Sequence, residues 1–394
     1  MCNGVEKKRR NKRMKVANTR KINERICEYE ERNELNELIA QEILEPIEEN
    51  EIVFENIESL LHNAKHFQKG MMENGFFHSD DESVIAAMIA TAFDQFLEEM
   101  SWDGRLSDDV LQAIIESGRV FREGVFEDNV YLKNIHLENQ RSGKFELTNV
   151  AFEKYSLMVY SSPKTDVDGV RIPRIGTFDH QMNFPYMMEN GHACMGVTPS
   201  EIFSMERPIQ NASGDVLTLG CGLGYYACMV AEKDDVNSVT IVEKEPDVIA
   251  LFTTYILPQI PHREKITILQ ADALDYMENL EDGRFDHCFA DIWSGNNIVP
   301  YFKLKNICKK FTRTKMEYWD EDSLNEIIRS YVCFIISEES SKNKGISEEQ
   351  TFIIPEEGRE ILDYLTDLLK NEEITRADHV DYYMDSRNIL ALMS

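Results

Sequence analysis

The sequence predicts an α/β protein: a Rossmann-like, doubly wound, mostly parallel sheet with an N-terminal helical lobe and a small antiparallel β element. Three observations carry this expectation. Between Asp215 and Gly295, short apolar runs (VLTL, VTIV, ITIL and the run closing in FA) open four successive pieces. The first three runs end in a glycine loop or an acid, and a helical pattern follows each. That is how parallel strands alternate with crossover helices, and ligands of such sheets sit beyond the carboxyl ends of the strands. Upstream, helical periodicity fills the text from about 26 to 126, and strand-like runs fill 145 to 210.

In chain order, residues 1–25 form a basic arm with ten cations, Lys7, Lys8, Arg9, Arg10, Lys12, Arg13, Lys15, Arg20, Lys21 and Arg25, opposed by Glu6 and Glu24. A solvated terminus is the simplest reading, and contact with RNA, DNA or the chain's own acids is the other. Residues 26–144 read as a helical lobe that caps a site or builds a homo-oligomer. Leu35, Leu38, Ile39, Ile43 and Leu44 share one face; Val84, Ile85, Met88, Ile89, Phe93 and Phe96 another; Val110, Ile114 and Ile115 a third. His62 and His66 stand one helical turn apart, but HExxH has no counterpart here and a solvated face is the reading.

Residues 145–212 form the β-rich element. Glu189-Asn190-Gly191 between two apolar runs signals a hairpin, because Asn-Gly tolerates the positive φ of a tight primed turn. Thr198-Pro199-Ser200-Glu201 then caps a short helix. The Rossmann-like unit spans 213–337, with Met316–Trp319 as a fifth strand and Ser323–Ile336 as a long helix. A polar linker, 338–350, opens a helical extension over 338–394, with a helix starting at Pro355.

Composition narrows the partners. The formal charge is −29, from 71 acids against 42 Lys+Arg among 394 residues. Such a surface repels phosphate backbones and anionic lipids, so nucleic acid is an unlikely partner apart from the arm. Eight cysteines without a CxxC pair read as free thiols of a reducing compartment. No apolar run approaches the ~18 residues of a membrane span, and no apolar segment follows the basic N-terminus as in a secretion signal. The expected location is the cytoplasm.

The site residues lie at strand ends. Gly220, Gly222 and Gly224 follow the first strand and precede a helix, where glycine lets a ligand press on backbone and a helix N-terminus favours an anionic group. Glu243, nineteen residues on, ends the second strand, placed to accept ribose hydroxyls. Tyr225 stands where a dinucleotide fingerprint needs another glycine. Asp272 ends the third strand, within reach of an adenine amine, and Asp291 ends the fourth, beside a reacting carbon. Singly, such carboxylates are caps or loop residues; in register at consecutive strand ends they point to one ligand.

On these motifs, with VEKEPDVI and QADAL, the segment 215–295 resembles a class I S-adenosylmethionine-dependent methyltransferase of the spermidine-synthase-like branch. The resemblance implies S-adenosyl-L-methionine as cofactor. Gly220, Gly222 and Gly224 would meet the methionine moiety, Glu243 the ribose and Asp272 the adenine, with Cys221, Lys244 and Ala273 also in the cofactor site. Asp291 would lie at the catalytic position, against the cofactor. Two departures stand out. Thr218 replaces the acid usual in the first strand. The DG-x-x-Q and Asp-Ser-x-Asp-Pro elements of aminopropyltransferases read Asn190-Gly191-His192-Ala193-Cys194 and Asp291-Ile292-Trp293-Ser294-Gly295.

The expected activity is methyl transfer to an unidentified small molecule or protein. The alternatives are aminopropyl transfer and a nucleoside-binding scaffold without turnover, the latter motivated by Thr218. No metal is expected. The cofactor's own charge activates the methyl, so the protein mainly aligns a nucleophile and excludes water. Asp291 is either base or orienter of that nucleophile. Trp293 walls the pocket or packs; Tyr225, Tyr226 and His287 read as core.

Overall fold

The computed structural model describes residues 13–44, 47, 108–166, 169–293, 297–344 and 358–392. The histidine pair at 62 and 66, the helical pattern at 84–96, the arm before Arg13 and Pro355 lie outside the described residues. The chain divides into two compact units. The larger holds Leu35–Asp291 and Lys310–Asp320, the smaller Met1–Glu34, Ile292–Lys309 and Glu321–Ser394.

The larger unit is built on five parallel strands. With strands numbered along the chain, these are β9 (Gly214–Leu219), β10 (Val236–Glu243), β11 (Ile266–Gln270), β12 (His287–Ala290) and β13 (Lys315–Tyr318). They lie side by side in the order β11-β10-β9-β12-β13, every pair parallel. The chain winds outward from β9 on one side, then returns to lay β12 on the other. The gap between β9 and β12 beyond their carboxyl ends is thus the topological switch point, where such sheets bind ligands. This is the Rossmann-like fold expected from the sequence. Val216 to Leu219 and all four residues of β12 are buried, as strands covered on both faces require.

Two smaller sheets belong to the same unit. One is antiparallel and joins β3 (Gln140–Ser142), β4 (Phe145–Phe152), β7 (Met182–Glu189) and β8 (His192–Gly196). The β7–β8 turn is the Asn-Gly turn read from the sequence, with φ of 52° at Asn190 and 86° at Gly191. The other joins β2 (Arg119–Phe121), β5 (Leu157–Thr165) and β6 (Arg171–Phe178). Between 108 and 144 the chain is therefore mixed, with β2 inserted after the helix Asp108–Glu116. Aromatic packing explains the strand, since the Phe121 ring meets Tyr160 at 5.3 Å and Phe178 at 5.4 Å. The helix Pro199–Asn211, capped by Thr198, leads into β9.

The smaller unit is helical, with a short parallel pairing of β1 (Lys15–Val16) and β14 (Glu373–Ile374). One difference from the sequence reading appears here. The helix Glu321–Lys344 continues through the first part of the stretch read as a polar linker from 338. Lys342 pairs with Glu338 at 2.9 Å and Glu339 at 3.2 Å, at helical spacing. Ser340 is buried and donates to Asn23 Oδ1 at 3.1 Å. Polar text is helical when its charges pair along one face. No helix among the described residues is long and apolar enough to cross a membrane.

Candidate active site

The strand register brings the predicted ends level. Leu219 pairs with Val242 on one side and Ala290 on the other, and Glu243 pairs with Gln270. Backbone bonds carry the ladder one step beyond the strands: Gly220 N–H to Val242 O at 2.9 Å, Ala271 N–H to Glu243 O at 3.0 Å, Asp291 N–H to Leu219 O at 3.0 Å. Gly220, Glu243 and Asp291 therefore share one edge, with Asp272 two residues past Gln270.

The glycine loop is held from three sides. Gly220, Gly222 and Gly224 have φ of 95°, 50° and 73°, all left-handed. At Gly224 a Cβ would fall 2.3 Å from the Phe252 ring, so only glycine fits; at Gly222 it would meet just Met195 Sδ, at 3.5 Å. Met195 belongs to β8, so the small antiparallel sheet reaches the loop. Tyr131, wholly buried, donates its hydroxyl to Leu223 O at 2.7 Å. Sequence reasoning passed over Tyr131, which carries no motif. Burial and the nearby Glu243 push the Cys221 thiol well above its ordinary range.

Glu243 and Asp272 are both rich in backbone donors. Glu243 Oε2 accepts from Cys221 N–H at 2.9 Å, and Oε1 accepts from Lys244 N–H at 2.8 Å and Glu245 N–H at 2.9 Å. Of its about four lone-pair sites, one on Oε2 stays open for a ligand hydroxyl. Asp272 caps the helix Ala273–Asn279, with Oδ1 accepting from Leu274 N–H at 2.8 Å and Asp275 N–H at 3.2 Å. Its second oxygen makes no hydrogen bond among the described residues. Lys244 is exposed and contributes its amide, while Ala273 is buried.

Asp291 is the opposite case. No side-chain hydrogen bond satisfies its carboxyl among the described residues, and burial pushes its pKa up to about 7. A second raised carboxyl belongs to a residue that the sequence reading treated only as a cap. Glu201, in the first turn of the helix Pro199–Asn211, is pushed up to about 8 by burial and then by the charges of Asp291 and Asp320. A chain of hydrogen bonds links the end of β12 to the backbone of this helix turn. Trp319 N–H bonds Ala290 O at 2.9 Å, its indole N–H bonds Ser204 Oγ at 3.1 Å, and Ser204 Oγ donates to Glu201 O at 2.9 Å. Asp320 has a left-handed φ of 44° and accepts from Ser162 at 2.9 Å. Burial and Glu201 push the Tyr186 phenol to about 12.

The remaining candidates fall outside this cluster. Thr218 is buried, and its hydroxyl lies 3.4 Å from Gly220 O, supporting the loop. Tyr226 stacks on Phe289 at 4.2 Å, and Tyr225 accepts from Asn129 at 3.1 Å, both as core residues. His287 is core as well, at the other end of β12 from Asp291. Trp293 is buried edge-on against Tyr301 within the smaller unit. Among the described residues no cluster of His, Cys, Asp and Glu could hold a metal. Recesses of about 440 and 390 Å³ surround Arg119 and Val125; the second lies on the flank of the 199–211 helix opposite Glu201.

No family model matches the chain, and no curated protein does. Solved structures match in part. Spermidine synthase from Thermotoga maritima is 14% identical, over 40% of this chain and 59% of that one, with a TM-score of 0.29. A probable spermidine synthase from Corynebacterium glutamicum is 16% identical, over 33% and 53%, with a TM-score of 0.26. The Trypanosoma brucei PRMT1 enzyme–prozyme complex with AdoHcy is 19% identical, over 29% and 37%, with a TM-score of 0.23. The chain thus spans little more than half the length of the first two. At these scores the likeness bears no weight, and the fold assignment rests on strand order and register.

Proposed function

We propose that the chain is an S-adenosyl-L-methionine-dependent methyltransferase whose cofactor lies across the ends of β9, β10, β11 and β12. The observation that carries this reading is the bond from the Cys221 amide to Glu243. It ties the glycine loop to the one acid placed for a ribose, leaving an acceptor site on that acid. Gly222 leaves open backbone for the methionine moiety, Lys244 stands at the ribose edge, and Asp272 offers its free oxygen to the adenine amine. The bound cofactor supplies an electrophilic methyl group; the chain's residues hold the acceptor in line and take up its proton.

Calorimetry of the full chain with S-adenosylmethionine and S-adenosylhomocysteine tests this reading. Saturable one-to-one binding of both is expected. If neither binds, the reading gives way to a scaffold that kept the fold. One observation favours that second reading: Glu243 already accepts three backbone amides, and Thr218 serves the loop, so each is explained without a ligand.

A further inference from the structure

We propose that Tyr131 is a positioning residue for the cofactor: its hydroxyl fixes the Leu223–Gly224 peptide of the glycine loop in the orientation that receives the amino-acid end of S-adenosylmethionine. This deepens the methyltransferase reading and rests on it. Hydrogen bonds carry it first. Tyr131 is wholly buried and donates to Leu223 O at 2.7 Å, 92 positions away in the chain. No other hydrogen bond reaches that carbonyl among the described residues. The N–H of the same peptide, on Gly224, donates to Cys221 O at 2.8 Å, and the Cys221 N–H donates to Glu243 at 2.9 Å. The loop is thus pinned by Glu243 on one side and by Tyr131 on the other.

The glycines explain why a hydroxyl is needed here. Gly222 and Gly224 hold φ of 50° and 73°, which their lack of a side chain permits. Glycine takes φ of either sign with about equal ease, so the same freedom lets the peptide between Leu223 and Gly224 turn over. A turned peptide would exchange the carbonyl and N–H ends that the loop offers to a ligand. Packing alone does not call for the hydroxyl, because a phenylalanine would supply the same ring. A buried hydroxyl costs free energy unless it finds a partner, and here the partner is the loop. Burial also pushes the Tyr131 phenol well above its ordinary range, so it stays protonated and remains a donor through neutral pH.

The residues around Tyr131 hold it from outside the loop. Asn129 caps the helix Val130–Asn134 by accepting from Leu132 N–H at 3.0 Å, and its Nδ2 donates to the Tyr225 hydroxyl at 3.1 Å. Tyr225 is the first residue of the helix that follows the loop, and its ring meets Tyr131 edge-on at 5.5 Å. Just past the 130–134 helix, His136 N–H donates to Gln259 Oε1 at 3.0 Å, and Gln259 Nε2 donates to His136 O at 3.1 Å. The segment 129–136 is therefore moored at both ends, with Tyr131 between the moorings. Its hydroxyl is placed by this frame, and the loop carbonyl is placed by the hydroxyl.

The experiment separates the two ends of the ligand. S-Adenosylhomocysteine carries the amino-acid end, whereas methylthioadenosine has the same adenosine and thioether without it. Calorimetry of the full chain should show Tyr131→Phe losing about tenfold in affinity for the first and changing within about twofold for the second. A Tyr131 that only fills the core would weaken both ligands alike or neither, and either result overturns the proposal. Asn129→Ser keeps a capping oxygen but loses the donor to Tyr225, and should give the same split at smaller size. It carries the test if Tyr131→Phe does not fold, and the absence of a split in it then overturns the proposal. Amide hydrogen exchange without ligand reads the loop itself. In Tyr131→Phe the Gly224 amide should exchange about tenfold faster while the amides of β9 keep their rates; equal Gly224 rates would overturn the pinning. A wild-type chain that binds both ligands, with no split in the variants, overturns the role of Tyr131 and leaves the cofactor reading. A wild-type chain that binds neither overturns both.

Discussion

Four carboxyls of the larger unit fall into two pairs with opposite surroundings. Glu243 and Asp272 accept backbone amides and are held like anchors. Asp291 and Glu201 are driven to about 7 and 8 by burial. The first pair has its charge compensated in advance, so it can position a polar ligand without itself changing state. The second retains uncompensated charge, so a proton or a cation stabilises it. On the proposed reading, the same residue type is suited to hold a ligand at Glu243 and Asp272 and to take up a proton at Asp291.

The largest effect is expected at the anchored pair. Glu243→Ala removes the acceptor of three amides, including the Cys221 amide that fixes the glycine loop. It should weaken S-adenosylhomocysteine binding by about 100-fold or more and cost about 2–3 kcal/mol of stability. Calorimetry and denaturant unfolding read the two. Unchanged affinity would separate Glu243 from any ribose.

Next come two pH slopes of opposite sign on one strand. His287, at the start of β12, is lowered to about 4 because burial outweighs the attraction of Glu317, 3.2 Å away. As pH falls from about 6.5 to 4, the unfolded chain gains a proton that the folded chain refuses, so stability drops. Asp291, at the strand's other end, keeps its proton up to about 7. As pH rises from about 4 to 7, the unfolded chain loses a proton that the folded chain retains, so stability drops again. Each slope is worth on the order of 3 kcal/mol. Urea midpoints from pH 4 to 9 should show His287→Phe flattening the acid side, and Asp291→Asn raising stability above pH 7. A destabilised Asp291→Asn at pH 8.5 would mean that hidden donors satisfy this carboxyl.

The smallest effect is Asp272→Ala. Losing the cap of the 273–279 helix should cost about 1 kcal/mol, with a loss of about tenfold in cofactor affinity if the free oxygen meets adenine. A stability loss with no change in affinity would leave Asp272 as a cap alone.

The anchored pair was legible in the sequence and the half-buried pair, Asp291 and Glu201, only in part. Gly220, Gly222, Gly224 and Glu243 follow local rules, since a left-handed turn demands glycine and a strand end is marked where an apolar run stops. Asn190-Gly191 is legible for the same reason. Glu201 was hidden by a correct local rule. Thr198-Pro199-Ser200-Glu201 does start a helix, and nothing within ten residues shows that the glutamate comes under the charges of Asp291 and Asp320. Only strand order brings them together. Tyr131 is invisible likewise, because its hydroxyl serves a carbonyl 92 positions away. The helix through Lys344 was missed because polar composition resembles a linker until its charge pairs are counted.

The most direct measurement is a crystal structure of the full chain grown with S-adenosylhomocysteine. The expected density is an adenosine over the glycine loop, with a ribose hydroxyl on Glu243 Oε2 and the sulfur turned toward Asp291. A nucleoside bound away from Glu243, or a sheet edge closed by the chain's own side chains under saturating ligand, would contradict that arrangement.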